Sequence, residues 1–185
     1  MLNTRLGAGL LAFVLAIGLT TTTRAAIAAS AAEINRSVDK ALQDLYAKDP
    51  KAKDLTARAK AVLVFPSIYK AGFMFGAQYG DGALRQHGKT IGYYNSVAAS
   101  YGLQAGVQVF GYALFFMTDS ALAYLNKSGG FELGTGPSIA VLDTGAATAF
   151  TSTTLQSDMF AIFFDQKGLM AGLGIQGSKI SKINK

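Results

Sequence analysis

Residues 61–82 read AVLVFPSIYKAGFMFGAQYGDG, and this stretch decides the fold class. Residues 61–65 form a short, continuous apolar run of the kind found in buried strands, and we expect Pro66 to end that strand. From residue 72 to residue 79, small and aromatic residues alternate, which is the period of a strand. Residues 79–82 are turn-forming types and predict a turn. A β-rich region therefore begins at residue 61.

The segment before it, residues 29–60, predicts helix. It has seven basic and five acidic residues and no glycine. Ser30 and Glu33 have the spacing of a capping box, in which each side chain accepts a hydrogen bond from the backbone N–H of the other residue. The apolar residues that follow fall on one helical face: Ile34, Val38, Ala41, Leu42, Leu45 and Tyr46. We expect Pro50 to end this helix and to open a shorter one over residues 51–60.

Downstream of residue 61, strands are expected to follow one another through short turns. Residues 61–178 contain 18 glycines, 15% of that segment, and glycines in strands mark bulges, bends or close backbone approach. One turn is predicted at residues 86–89 and one short helix, capped by Thr118, at residues 120–126. The remaining strands are predicted at residues 103–117, 138–142, 146–153, 159–164 and 169–175.

This order of elements favours antiparallel pairing, because regular helices do not separate the strands. The predicted fold class is α+β, with N-terminal helices packed on a glycine-rich, mainly antiparallel β-sheet or barrel-like core. We expect one domain over residues 29–185: a helical part (29–60), a β-rich core (61–178) and a basic tail (179–185).

Residues 1–28 have the layout of a secretory signal peptide. Arg5 is followed by an uncharged run of 14 residues at 6–19, and Ala26–Ala28 fits a small-x-small cleavage site. A retained N-terminal anchor is the alternative, although the run is short for a spanning helix. Cleavage would leave a net charge of +4, from 15 basic and 11 acidic residues. The expected location is the periplasm or the exterior, with possible peripheral contact at the cell envelope.

The motifs of the common catalytic sites are incomplete in this sequence. It has no cysteine and a single histidine, His87, in a predicted turn without a GxSxG nucleophile elbow. Residues 172–177 match GxGxxG, but the chain ends eight residues later, so the following helix of a dinucleotide site is missing. Asp143 opens one Asp-Thr-Gly triplet, whereas an aspartic protease needs two facing aspartates. We therefore expect no enzyme activity, no cofactor, no metal and no nucleic-acid partner.

Positive charge lies at the two ends of residues 29–185, whereas residues 61–178 carry five basic and six acidic residues. Near an anionic bilayer, each of Lys179, Lys182 and Lys185 can contribute about 1 kcal/mol. A disordered, solubilising C-terminus is the alternative interpretation of these lysines.

The glycine and aromatic segments resemble the SYLF domain family, a lipid-binding module also described as an actin-binding domain in its fungal members. The resemblance covers nearly all of residues 29–185 and looks like a secreted bacterial branch. Its residues are Ala59–Pro66, Lys70–Phe73, Gly76, Tyr79–Gly80, Gly88–Thr90, Tyr93–Asn95, Ser100–Gln108, Lys167–Gly172 and Gln176–Gly177.

The resemblance implies a non-catalytic α+β domain that binds anionic lipid head groups, which are phosphoinositides in eukaryotic members. It also implies membrane contact by an N-terminal amphipathic segment, which by position would contribute Arg36, Lys40, Lys51, Lys53, Arg58 and Lys60. Because export is predicted, bacterial envelope phospholipids are simpler partners than actin or phosphoinositides.

The expected mechanism is electrostatic attraction by the basic residues at the two ends, with shallow insertion of exposed aromatic residues such as Tyr69 or Phe73. The alternative is a structural envelope protein, either a scaffold or a small outer-membrane barrel. A barrel would need strands of about ten residues that alternate apolar-out and polar-in.

Overall fold

The fold comes from a computed structural model that describes residues 29–127, 130–142, 156–168 and 177–185, except for the side chains of Met74 and residues 100–105. The elements in chain order are α1 (Ala31–Lys48), α2 (Pro50–Arg58), β1 (Ala61–Gln86), β2 (Lys89–Phe116), α3 (Asp119–Leu125), β3 (Phe131–Glu132), β4 (Ile139–Leu142), β5 (Met159–Gly168) and β6 (Lys179–Ile183). The predicted signal peptide, the strands at 146–153 and 169–175, and Asp143 lie outside the described residues. The predicted α+β class is confirmed.

The helices form as the sequence predicts. Both capping-box hydrogen bonds are present: Glu33 N donates to Ser30 Oγ at 3.2 Å, and Ser30 N donates to Glu33 Oε2 at 2.7 Å. α1 buries the predicted face through Ile34, Val38, Ala41 and Leu45. α2 begins at Pro50, whose missing N–H costs nothing at a first helical position. α3 is capped by the Thr118 side chain, as predicted.

We expect Ser30→Ala to lower the free energy of unfolding by about 1 kcal/mol, because the Glu33 N–H loses its acceptor. Urea denaturation measures the change. Ser37→Ala on the exposed side of α1 is the matched control and should leave stability unchanged or raise it slightly, since alanine is the better helix former. Equal losses in the two variants would contradict a capping role.

β1 and β2 form one long antiparallel hairpin, which corrects two predictions. Pro66 does not end the first strand, because a register shift between Phe65 and Ile68 accommodates its missing N–H within β1. Residues 79–82 are not a turn: they lie inside β1 and pair with residues 94–97 of β2. The predicted turn at residues 86–89 is confirmed, and both of its central residues, His87 (φ 50°) and Gly88 (φ 77°), are left-handed.

The sheet is mainly antiparallel, as predicted, and it curls into a half-barrel. β2 pairs with β1 along one edge. Along the other edge, β5 pairs with residues 108–116 of β2 and β6 pairs with residues 93–97. β3 adds to β6, and β4 adds to β5 in the one parallel pairing of the described sheet.

The curl brings the first half of β1, which includes Val64, Ser67 and Gly72, against its second half, which includes Gly76, Gly80 and Gly82. A Cβ added to Gly72 would overlap the backbone of Gly76, and one added to Gly80 would overlap the carbonyl oxygen of Ser67. A Cβ on Gly82 would likewise overlap the carbonyl oxygen of Val64. Glycine is needed at these positions because backbone approaches backbone there, which accounts for part of the glycine content of the strands.

The sheet buries side chains on both of its faces. The inner face of the curl holds an aromatic core that includes Phe65, Phe110, Tyr112 and Phe116, and α3 packs against it. The outer face is covered in part by α1 and α2, which pack on Val62, Val64, Ala83, Ala113, Phe115, Phe160, Ile162 and Phe164. Arg85 of β1 fixes α1 by bonding Asp39 and the Asn35 carbonyl oxygen. The helices therefore occupy a defined part of the outer face.

Candidate functional site

An uncovered row of aromatic side chains lies on the outer face of β1. Tyr69, Phe73, Phe75 and Tyr79 are 59%, 75%, 70% and 49% exposed, and we call these four residues the aromatic stripe. They share one face because strand side chains alternate and all four have odd numbers. The interpretation of Tyr69 and Phe73 as exposed aromatic residues is confirmed.

The neighbouring strand extends this apolar surface. On β2, Val107 stands opposite Ala71, and Val97 stands opposite Tyr79. Both valine side chains are exposed. Side chains directly opposite each other on paired strands point to the same side of the sheet. Contiguous exposed apolar surface of this kind marks an interaction site, whereas single exposed apolar residues do not.

Strand pairing places a lysine on the same face as the aromatic stripe, two strands away, at two positions. Tyr69 pairs with Val109 of β2, which pairs with Lys167 of β5. Tyr79 pairs with Val97, which pairs with Lys179 of β6. Both lysines are exposed, and neither forms an ion pair within the part of the chain that the structure describes. Two cations therefore flank the stripe.

Glu132 is the acidic residue beside this arrangement. It stands opposite Lys179 in the pairing of β3 with β6, but the structure shows no ion pair between the two side chains. Lys179 therefore remains available for another anionic partner.

The side chain of Lys185, one of the predicted lipid-binding residues, is held in an ion pair. Its Nζ lies 3.0 Å from Asp81 Oδ2, and the two side chains are only 11% and 10% exposed. The Tyr79 hydroxyl donates to the other oxygen of Asp81 at 2.6 Å. This hydrogen bond, with some loss of solvation, raises the pKa of Tyr79 to about 12. Lys185 and Tyr79 thus both bind the carboxylate of Asp81 beside the stripe.

The predicted basic tail is a strand rather than a disordered terminus. Residues 179–183 form β6, which is held between β2 and β3. Lys179 and Lys182 line a cavity of about 410 Å³ at the edge of β6, together with Lys127 at the end of α3. The other lining residues are Leu125, Asn126, Gly130 and Ser181. We call this cavity the basic pocket.

Two of the lysines on these surfaces, Lys127 and Lys167, were missed by the sequence analysis as site residues. Lys127 Nζ lies 3.9 Å from the centre of the Tyr124 ring, a cation–π contact that holds it at the rim. In the sequence, Lys167 lies in one of the segments that carry the family resemblance. Its position depends on the pairing of β5 with β2, for which the sequence carries no local signal.

The basic residues predicted on the N-terminal helices are exposed but do not line the basic pocket. Lys40 pairs with Asp44 at 2.8 Å, and Lys60 pairs with Asp119 at 3.2 Å. The remaining members of this set lie on the solvent-facing sides of α1 and α2: Arg36, Lys51, Lys53 and Arg58. The predicted basic residues therefore fall into two separate regions, one on the N-terminal helices and one at β6.

A second cavity, of about 430 Å³, lies between the N-terminal end of α1 and the stripe. Tyr69, Tyr79 and Ile34 line it, and the charged residues in its wall are the acidic Glu33 and Asp81. Its charge is therefore unsuited to an anionic head group.

Among the described residues, no three His, Asp or Glu side chains converge to hold a metal ion. His87 is exposed at the tip of the β1–β2 hairpin. Within the same residues, no helix combines the length and the apolar composition that crossing a membrane requires.

The comparison with known families matches residues 97–185, which run from the middle of β2 to the end of the chain. The matching family is described as "Ysc84: Las17-binding protein actin regulator". A search of curated proteins found no match. The match includes Lys127, Lys167, Lys179 and Lys182, and it agrees with the resemblance seen in the sequence. Residues 97–185 of this chain are therefore similar to the Ysc84 (SYLF) family.

Proposed function

We propose that this protein binds the surface of anionic phospholipid membranes, without catalysis, through the aromatic stripe and the lysines beside it. The observation that carries the proposal is the exposed stripe on the outer face of β1, with Lys167 in register with Tyr69 and Lys179 in register with Tyr79. Aromatic rings suit the apolar side of a membrane interface, and lysines suit its phosphate layer.

Neither the exposed aromatic rings nor the lysines would be sufficient by themselves to hold the protein at a membrane. Burying an exposed phenylalanine contributes about 1.5–3 kcal/mol, and each lysine near an anionic surface contributes about 1 kcal/mol. Stable but reversible membrane attachment commonly needs an apolar and an electrostatic contribution together. The stripe and its flanking lysines supply both on one face, and paired strands hold them in place.

The basic pocket supports a phosphate-bearing head group as the ligand. Lys179 belongs both to the surface beside the stripe and to the pocket, where Lys127 and Lys182 add two further cations. A lipid whose phosphate enters this pocket would leave its acyl chains near Val97 and Tyr79. Phospholipids and phosphoinositide-type lipids share that phosphate chemistry.

The family description names Las17 binding and actin regulation, which are cytoskeletal roles. For this chain we favour an envelope phospholipid, because residues 1–28 have the layout of a signal peptide and would direct the protein to the periplasm or the exterior. The lipid surface also accounts for the exposed aromatic rings.

Binding to lipid vesicles tests the proposal. The protein beginning at Ala29 avoids the apolar run at residues 6–19, which would bind bilayers by itself. We expect it to bind vesicles containing phosphatidylglycerol, to bind phosphatidylcholine vesicles much more weakly, and to lose affinity as salt increases. Equal binding to the two vesicle types would contradict the electrostatic part.

A paired substitution tests the position of the site. Lys167→Ala with Lys179→Ala should lower vesicle affinity by about 2 kcal/mol, or roughly thirtyfold. Lys40→Ala with Lys53→Ala removes the same charge from α1 and α2 and should lower affinity much less. Equal losses in the two double variants would mean that overall charge, rather than this surface, determines binding.

A further inference from the structure

A lysine lies on the inner face of the curl. Lys70 of β1 is only 7% exposed, and it points away from the aromatic stripe because its number is even. It forms no hydrogen bond and no ion pair with any other residue in the described part of the chain. A lysine side chain buried to this extent is costly unless its ammonium group meets an anion or a hydrogen-bond acceptor, and proteins almost always pair such groups.

Two buried glutamines lie on the same face of the sheet as Lys70. Gln108 stands directly opposite on β2, is 5% exposed, and has a buried Oε1 without a hydrogen-bond partner. Gln78, also 5% exposed, donates from Nε2 to Ser178 Oγ at 2.8 Å. We call Lys70, Gln78, Gln108 and Ser178 the interior polar cluster.

The fold of β1 brings Lys70 and Gln78 towards each other. The two halves of the strand touch at Gly72 and Gly76 on one side of them, and at Ile68 and Gly80 on the other. Both residues point to the inner face between these contacts. The cluster is therefore produced by the doubling back of a single strand.

We propose that the interior polar cluster binds an oxyanion, either a phosphate or a carboxylate group, with Lys70 as its cationic partner. The cluster offers an ammonium, two amides and a hydroxyl, and it contains no carboxylate. The closest acid in sequence on the same strand, Asp81, is already bound by Lys185 and Tyr79. The Gln108 amide can rotate to present its NH₂ group to an anion beside Lys70.

This site is separate from the proposed membrane surface, because Lys70 and the aromatic stripe lie on opposite faces of the sheet. Binding at the cluster therefore does not require the protein to bind membranes. The experiment uses inorganic phosphate and no vesicle, so the two proposals can fail independently.

The test measures the thermal unfolding of the full chain against phosphate concentration, with chloride at matched ionic strength as the reference. Because phosphate would bind the folded protein, we expect it to raise the Tm in a saturable way. The expected rise is about 3–6 °C at a phosphate concentration of ten times the dissociation constant. Phosphate also stabilises proteins non-specifically, so the wild type is compared with variants. Lys70→Met should lose the saturable part of the shift, whereas Lys53→Met on α2 should keep it.

Gln108→Glu keeps the test decisive if Lys70→Met does not fold. It places a carboxylate opposite Lys70, which should form an internal ion pair and abolish the phosphate-dependent shift while the protein stays folded. Equal phosphate shifts in the wild type and Gln108→Glu would overturn the proposal.

A second version of the experiment tests whether the bound oxyanion belongs to a lipid head group or to a free phosphate. Dihexanoyl phosphatidic acid below its micelle concentration replaces inorganic phosphate in the same measurement. A larger Lys70-dependent shift with this lipid supports a lipid head group, and an equal shift supports a free phosphate. No Lys70-dependent shift with either probe would overturn the site.

Discussion

Replacing Phe73 and Phe75 together by serine is expected to lower the affinity for anionic vesicles by roughly a hundredfold. Both side chains are largely exposed, and each would transfer its ring into the membrane interface. At about 1.5 kcal/mol for each ring, the loss is about 3 kcal/mol. Vesicle co-sedimentation or surface plasmon resonance on immobilised liposomes measures it.

Two exposed apolar residues away from the stripe provide the matched control. Ile91 and Val141 are 47% and 59% exposed, and Ile91→Ser with Val141→Ser removes apolar surface without touching the stripe. This double variant should bind vesicles like the wild type. A similar loss in both double variants would show that general surface hydrophobicity, and not the stripe, determines binding. Denaturant unfolding of each variant separates a loss of binding from a loss of fold.

The largest expected effect on stability is that of Gly82→Ala. The added Cβ would overlap the carbonyl oxygen of Val64 and the ring of Phe65, and the Val64 oxygen belongs to the backbone of the same curled strand. Because backbone cannot move aside as a flexible side chain can, we expect a loss of about 3 kcal/mol in the free energy of unfolding. Urea denaturation with fluorescence or circular dichroism measures the loss.

Gly92→Ala is the control for a glycine in the same hairpin. Its Cβ would lie 3.1 Å from Cε2 of the Tyr94 ring, a side chain that can shift slightly. We expect a loss below about 1 kcal/mol. Comparable losses at Gly82 and Gly92 would mean that the close approach of the two halves of β1 is not what requires glycine.

The helices and the hairpin turn could be predicted because their signals are local. The capping box joins residues three apart, Pro50 acts on its own helix, and the left-handed residues His87 and Gly88 lie side by side. Each of these features is decided by groups within one helical turn or one β-turn. Long-range packing did not have to be known in advance.

The same local rules failed at residues 79–82, where turn-forming residue types lie inside a strand. Gly80 and Gly82 are there because the other half of β1 approaches them, and not because the chain reverses. A composition rule cannot distinguish these two reasons for glycine, since both depend on the missing Cβ.

The sequence indicated exposed aromatic residues on β1, but it did not indicate which lysines lie beside them. Alternation of small and aromatic residues indicated a strand, and exposed aromatic residues were expected, yet the basic partners were sought at the two ends of the chain. The structure places the predicted Lys179 on the face of the stripe, adds Lys167, which was not predicted, and pairs Lys185 with Asp81.

The amino-acid sequence by itself determined the α+β class, the helix boundaries, the strand periodicity and the family resemblance. Only the tertiary structure decided that the aromatic side of β1 faces outwards, that Lys70 lies inside, and which lysines flank the stripe. The physical reason is the curl. Two halves of one strand can approach closely only where glycines line the inner face, so the large rings are left on the outer face, and strand register then determines their neighbours.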